Sequence, residues 1–187
     1  MPKLMIIIAS TRPGRIGLPV GRWFVAEATR DSRFEIDVVD LAELQLPFMD
    51  EPHHPRLRQY TQPHTLQWSA RVEGADAFVL VMPEYNYGYS APLKNALDYL
   101  CQEWAHKPVG LVSYGGIAAG TRAQQQLKPI LLALRMAVAA ESVMIPFVGH
   151  LVQDGVFHPD DSTVQSAGRM LDEIARLQVA LAPLHRA

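Results

Sequence analysis

The chain has 187 residues, of which 49% are hydrophobic, enough for one substantial core and a single domain over residues 1–187. A formal net charge of -2 with no long run of either sign excludes the basic footprint of a nucleic-acid binder and an acidic interaction tail, leaving small molecules and further copies of the chain as partners. A lone cysteine, Cys101, excludes an intramolecular disulfide framework and a multi-cysteine metal site, in keeping with a reducing cytoplasm.

The first element is the apolar run Leu4 to Ala9, far shorter than the roughly 20 residues of a membrane span, and it reads as a strand with no membrane role. Similar β-rich runs follow at Glu35 to Asp40, Ala77 to Met82, Val109 to Ser113 and Val138 to Ile145, as expected of strands buried on both faces of a parallel sheet. Helical patterns alternate with them: Leu18 to Arg30 (Val20, Phe24 and Ala28 on one face), Thr65 to Glu73, Ala91 to Trp104, Thr121 to Met136, and a closing stretch Ser162 to Leu181. Five strands with intervening helices and right-handed crossovers predict a three-layer α/β/α sandwich.

The segment Leu41 to Gln62, rich in Pro and His, is longer than most connections in compact folds and reads as a functional lid, an interaction surface or a partly disordered loop. The spacing of His53, His54 and His64 matches no metal-ligand pattern, so no metal site is expected.

Ligands of open α/β sheets bind at the carboxyl ends of the strands. Three loops fall there. The first, Ala9-Ser-Thr-Arg-Pro-Gly-Arg-Ile-Gly17, offers hydroxyls, two guanidinium groups and a helix N-terminus, as a phosphate cradle or as a solvated turn. It lacks the lysine of a triphosphate loop and the glycine spacing of a dinucleotide turn, so a phosphate monoester fits better. The second, Met82 to Tyr99, is dense in aromatic and amide groups: either a mouth for a planar ring or a turn whose tyrosines cover the core, with Lys94, Asn95 and Asp98 on the following helix in a capping, packing or ligand-contact role. The third, Ser113-Tyr-Gly-Gly-Ile-Ala-Ala-Gly-Thr-Arg122, is a glycine-rich turn that lets a flat ligand approach the backbone.

Together the loops suit a monophosphate joined to a planar heterocycle. In "ASTRPGRIG", "MPEYNYGYSAPLKNALDYL" and "VSYGGIAAGTRA", in this order, the chain resembles the NADPH-dependent FMN reductase family over Lys3 to about Ile145. The resemblance implies a flavodoxin-like fold with a five-stranded parallel sheet in the order 2-1-3-4-5. It also implies bound FMN, NADPH or NADH as hydride donor, and a small electron acceptor such as a flavin, quinone, azo compound or metal oxyanion. By matching position, Ser10, Arg12, Arg15 and the backbone through Gly17 would hold the FMN phosphate. Pro83, Glu84, Tyr85 and Asn86 would line the ribityl chain and isoalloxazine, and Ser113, Gly115 and Gly116 would flank the ring. Several relatives carry serine and asparagine where this chain has Arg15 and Gly17. A homodimer or homotetramer is implied, with the active site near the interface, and no protein acid or base is expected to be indispensable. A flavodoxin-type electron carrier without nicotinamide activity and a phosphoester-binding domain without flavin are the alternatives. The near-neutral charge disfavours the first of them.

Overall fold

The computed structural model describes residues 1–185. Strands β1 (Lys3–Ile8), β2 (Glu35–Asp40), β3 (Ala77–Pro83) and β4 (Pro108–Tyr114) are joined by two short pieces, β5 (Ala137–Val138) and β6 (Val143–Ile145), which share the fifth position beside β4. Every pairing is parallel and the order is β2-β1-β3-β4-β5, the flavodoxin-like arrangement expected from the sequence. The chain leaves β1 toward β2 and then returns past it to β3. Strand order therefore reverses between β1 and β3, which opens a crevice at their carboxyl ends.

Alternation along the strands feeds two cores. Leu4, Ile6, Val79 and Val81 meet Phe24 of helix α1 (Gly17–Asp31) and Met170 of α6 (Asp161–His185). Met5, Ile7, Leu80 and Met82 meet Trp68 of α3 (Pro63–Glu73), Leu97 of α4 (Ala91–Asp98) and Leu127 of α5 (Thr121–Ala133). With both faces covered, strands β1 and β3 are buried almost throughout, which is why they read as unbroken apolar runs.

The main departures from the pattern reading are these. Helix α4 stops at Asp98 instead of running to Trp104. The buried Glu103 carboxylate accepts hydrogen bonds from Tyr60 OH (2.8 Å), Ser69 Oγ (2.7 Å) and the Cys101 N–H (3.2 Å), and this draws residues 102–104 into a 3-10 turn that seats Trp104 in the core. The fifth strand is interrupted over residues 139–142. A small hairpin, β7 (Val152–Gln153) and β8 (Val156–Phe157), turns at Asp154 and Gly155, both at positive φ.

The 41–62 segment carries a short helix, α2 (Leu41–Leu44), begun by Asp40, whose carboxylate accepts the Ala42 N–H. Beyond it the segment is strapped down: Asn95 Nδ2 donates to Pro47 O, Tyr99 OH donates to Asp50, and Glu51 accepts the N–H groups of Thr61 and Gln62. Burial opposes ionisation of Glu51, but those backbone donors outweigh it and hold the carboxyl down at about 2. Among the described residues, no helix is long and apolar enough to cross a membrane.

Candidate functional site

Loop 1 runs from Ala9 at the end of β1 to Gly17 at the start of α1, and the first turn of that helix has no side-chain cap and no acidic residue. The N–H groups of Gly17 and Leu18, at the positive end of the helix dipole, therefore have no side-chain partner, and Pro19 has no N–H to satisfy. Ser10 is fully buried beneath the loop. Its Oγ and the hydroxyl of Tyr114, at the end of β4, both lie under Gly17 without a partner in hydrogen-bonding geometry. A Cβ on Gly17 would fall 2.1 Å from Ser10 Oγ and 2.2 Å from Tyr114 OH, so the position admits only glycine without rearrangement. Burial pushes the Tyr114 phenol well above its ordinary value, which keeps it a neutral donor.

The two arginines of the loop have different surroundings. Arg12 is exposed and has no carboxylate partner among the described residues. Arg15 turns inward: Nη1 and Nη2 form a fork onto the Asp40 carboxylate at the end of β2, and Nη1 also donates to Ser10 O at 2.6 Å. The two side chains are only 13% and 7% exposed. Hydrogen bonding to Asp40 raises the Arg15 pKa, and although burial alone would raise Asp40, the guanidinium and the Ala42 N–H hold that carboxyl below its ordinary range. Arg15 thus cancels the acid nearest the loop and ties loop 1 to β2, leaving Arg12 as the free cation.

Loop 2 leaves β3 at the buried Pro83, and the Glu84 N–H donates to Tyr114 O (3.0 Å), prolonging the β3–β4 pairing. Tyr85, Asn86, Tyr87 and Gly88 form a tight turn closed by reciprocal bonds between Tyr85 and Gly88, and Tyr85, Asn86 and Tyr87 are exposed at its tip. Glu84 does not face outward: its carboxylate takes the Arg122 side chain (2.9 Å) and the Arg122 N–H (3.2 Å) at the start of α5. Ser90 Oγ donates to Ala9 O, fastening the far end of loop 2 to loop 1.

Loop 3 follows β4. Ser113 is fully buried, and its hydroxyl donates to Ala119 O and accepts from Gln124 Nε2, both at 2.8 Å, so it fixes the loop from beneath. Gly115 and Gly116 lie on the rim, and a Cβ on Gly116 would meet open space. The fold itself does not demand glycine there.

The structure thus brings all eleven sequence-derived residues to the carboxyl ends of β1, β3 and β4, but with different exposures. Arg12, Tyr85, Asn86 and Gly116 are open, Ser10, Gly17, Pro83 and Ser113 are buried, Gly115 lies between them on the rim, and Arg15 and Glu84 are engaged in ion pairs. Asp40, Tyr114 and Arg122 were missed. Asp40 is a strand-end residue with no local signal, whereas Tyr114 and Arg122 stood within the third motif without a role. A cavity of about 500 Å³ opens beside loop 1, between the 41–62 segment and α4, lined by Thr11, Leu41, Gln45, Phe48, Pro92 and Asn95. Lys94 pairs with Asp98 along α4 rather than facing the loops. Among the described residues, no group of three His, Cys, Asp or Glu side chains could hold a metal; His53 and His54 are exposed, and His64 pairs with Asp50.

Comparison with known proteins decides what this crevice belongs to. Residues 2–150 match the family model described as NADPH-dependent FMN reductase. The chain belongs to that family. Within the NADPH-dependent FMN reductase family, it is 39% identical over 160 residues to an NAD(P)H-dependent FMN reductase of Schizosaccharomyces pombe, covering 84% of this chain and 80% of the relative. It is 34% identical over 156 residues to a Saccharomyces cerevisiae protein of the same description, covering 77% and 81%. In fold it superposes on FerB, an NAD(P)H:(acceptor) oxidoreductase from Paracoccus denitrificans, with a TM-score of 0.73 at 20% identity, covering 95% and 98%. As an FMN reductase family member, the chain is an oxidoreductase, and the family match spans all three loops.

Proposed function

We propose that the protein binds FMN in the crevice between loops 1, 2 and 3 and passes hydride from NADPH or NADH through it to a small-molecule acceptor. The observation that carries this reading is that the family match runs continuously from β1 through loop 3, while the loops themselves offer what a flavin phosphate and ring need. The fit rests on three features: buried Ser10 and Tyr114 hydroxyls that face each other under Gly17 with no further partner, an uncapped helix N-terminus beside the free Arg12, and a glycine rim that the fold does not require. Bound FMN supplies the hydride-accepting chemistry, and the chain supplies position, electrostatics and exclusion of side reactions.

In this reading Ser10, Arg12 and the backbone through Gly17 hold the phosphate, with Arg15 keeping the loop in place through Asp40. Pro83, Tyr85 and Asn86 present backbone and side chain to the ribityl chain and ring, while Glu84 and Ser113 brace their loops. Gly115 and Gly116 allow the ring to approach. The cavity beside Thr11 has the size of a small-ligand site and is lined mainly by apolar groups, which suits an organic acceptor such as a quinone. Phe48 and Tyr87 stand exposed near these loops, and a second copy of the chain covering them completes the proposal of a homodimer, or of a homotetramer built from it.

The test is direct. Purified protein, loaded with FMN, is expected to bleach anaerobically with NADPH or NADH and to recolour on addition of a quinone, azo dye or free flavin. Failure to bind added FMN overturns the flavin reading; binding without bleaching by either nicotinamide selects the electron-carrier alternative.

A further inference from the structure

Loop 2 is held in a backbone shape that its own sequence resists. Tyr85 and Gly88 exchange two N–H to carbonyl bonds of 2.9 Å, and the residues between them, Asn86 and Tyr87, have φ of 48° and 72°. This is the pattern of a tight turn with both central residues left-handed, usually filled by Asn-Gly or Asp-Gly. Asn86 tolerates that conformation, but an aromatic residue there is an outlier that persists only where its surroundings impose it. The core does not impose it, because Tyr87 is mostly exposed.

Within the chain, a guanidinium packs against that exposed ring. Arg122 Cζ lies 4.1 Å from the centroid of the Tyr87 ring, within cation–π range. Arg122 is the second residue of α5, directly after loop 3, and its own position is fixed by Glu84, which takes both its side chain and its N–H. Glu84 is in turn tied to β4 through the bond to Tyr114 O. The chain of contacts Tyr114–Glu84–Arg122–Tyr87 therefore links the end of β4, the start of α5 and the tip of loop 2. Because Glu84 already neutralises it, this guanidinium is not a free cation for a phosphate, unlike Arg12.

We propose that Arg122 is a positioning residue that clamps the Asn86–Tyr87 turn in the conformation that receives the flavin body. This rests on the FMN reading above. It acts through Tyr87 and Glu84, so its removal loosens the surface that meets the ribityl chain and ring and leaves the phosphate loop untouched.

The test compares wild type, Arg122→Ala, Arg122→Lys, Tyr87→Gly and the Arg122→Ala/Tyr87→Gly pair. Affinities for FMN and for riboflavin are read by flavin fluorescence quenching. In parallel, amide hydrogen exchange at residues 85–88 is followed in the flavin-free protein. Arg122→Ala is expected to weaken FMN and riboflavin equally, by about tenfold, which corresponds to about 1.4 kcal/mol. It is also expected to accelerate exchange across the turn. Arg122→Lys, which keeps a charge over the ring, restores part of both. Glycine adopts positive φ without strain, so in the Tyr87→Gly background the same arginine loss costs less than about threefold. Unchanged exchange in Arg122→Ala overturns the clamp, as does a flavin loss that stays tenfold in the Tyr87→Gly background. A loss confined to FMN moves the guanidinium to the phosphate, and a raised KM for NADPH with unaltered flavin affinity moves it to the nicotinamide nucleotide; either result overturns the proposal. Wild-type protein that binds neither flavin defeats the FMN reading instead, while the exchange data still decide whether Arg122 clamps the turn.

Discussion

Replacing Arg15 with alanine separates a brace from a ligand contact. The Arg15 and Asp40 side chains are 13% and 7% exposed, the fork has two bonds, and Asp40 also caps α2. Removing the cation leaves a nearly buried carboxylate unpaired, for which a loss of about 3 kcal/mol is expected. In a chain of this size, about 2–4 °C of melting temperature goes with each kcal/mol, so the flavin-free variant should melt about 6–12 °C lower at neutral pH. The pH dependence has a definite sign. The folded Asp40 carboxyl titrates below its ordinary value of 3.8, so the pair's contribution is complete above that value and lost as pH falls through the lowered one. The gap between wild type and Arg15→Ala should therefore narrow in acid, and Arg15→Ala/Asp40→Ala should recover most of the loss at neutral pH. Urea and thermal unfolding measure these differences, alongside FMN and riboflavin affinities. An Arg15→Ala protein of unchanged stability that loses FMN but not riboflavin would refute the reasoning and return Arg15 to the phosphate.

Arg12→Ala should show the opposite profile: unchanged melting, and FMN weakened much more than riboflavin, because its lost contacts are charge-assisted bonds to phosphate. Gly17→Ala places a methyl 2.1 Å from Ser10 Oγ and should cost about 1–3 kcal/mol in unfolding experiments, with part regained when Tyr114→Phe removes the other clashing oxygen. Ser113→Ala leaves Gln124 and the Ala119 carbonyl unpaired in the interior and should cost about 1–3 kcal/mol by urea titration, loosening loop 3. Because the Glu51 carboxyl is held at about 2, protection of the Thr61 and Gln62 amides from hydrogen exchange should survive at about pH 4 and fall sharply in Glu51→Ala.

The layer order of the fold was legible because β1 and β3 are buried on both faces and read as unbroken apolar runs, while α1 shows one clear apolar stripe. What escaped was set by distant partners. After α4 ends at Asp98, the Glu103 carboxylate holds the following turn through Tyr60 and Ser69, residues that lie 43 and 34 positions away in the chain, as well as through the neighbouring Cys101 N–H. The β7–β8 hairpin is a different kind of omission, since Asp154-Gly155 between Val152 and Phe157 is a strong hairpin signal that the residues carried all along.

The same distinction governs the site. Motif residues gather at one end of the sheet because loops at strand ends converge wherever strand order reverses. Their individual roles depended on partners that no single motif marks. Arg12 and Arg15 look equivalent in sequence, yet Asp40, on a strand that supplies no motif, makes one a brace and leaves the other free. Glu84 and Arg122 likewise sit in separate motifs and form one ion pair that joins two loops. A charged residue next to an expected ligand site is therefore weak ground for ligand contact until its counter-charge is found. In this crevice the carboxylates are what sort the cations: those that Asp40 and Glu84 neutralise hold the walls, and Arg12, which they leave unpaired, is the one proposed to meet the phosphate.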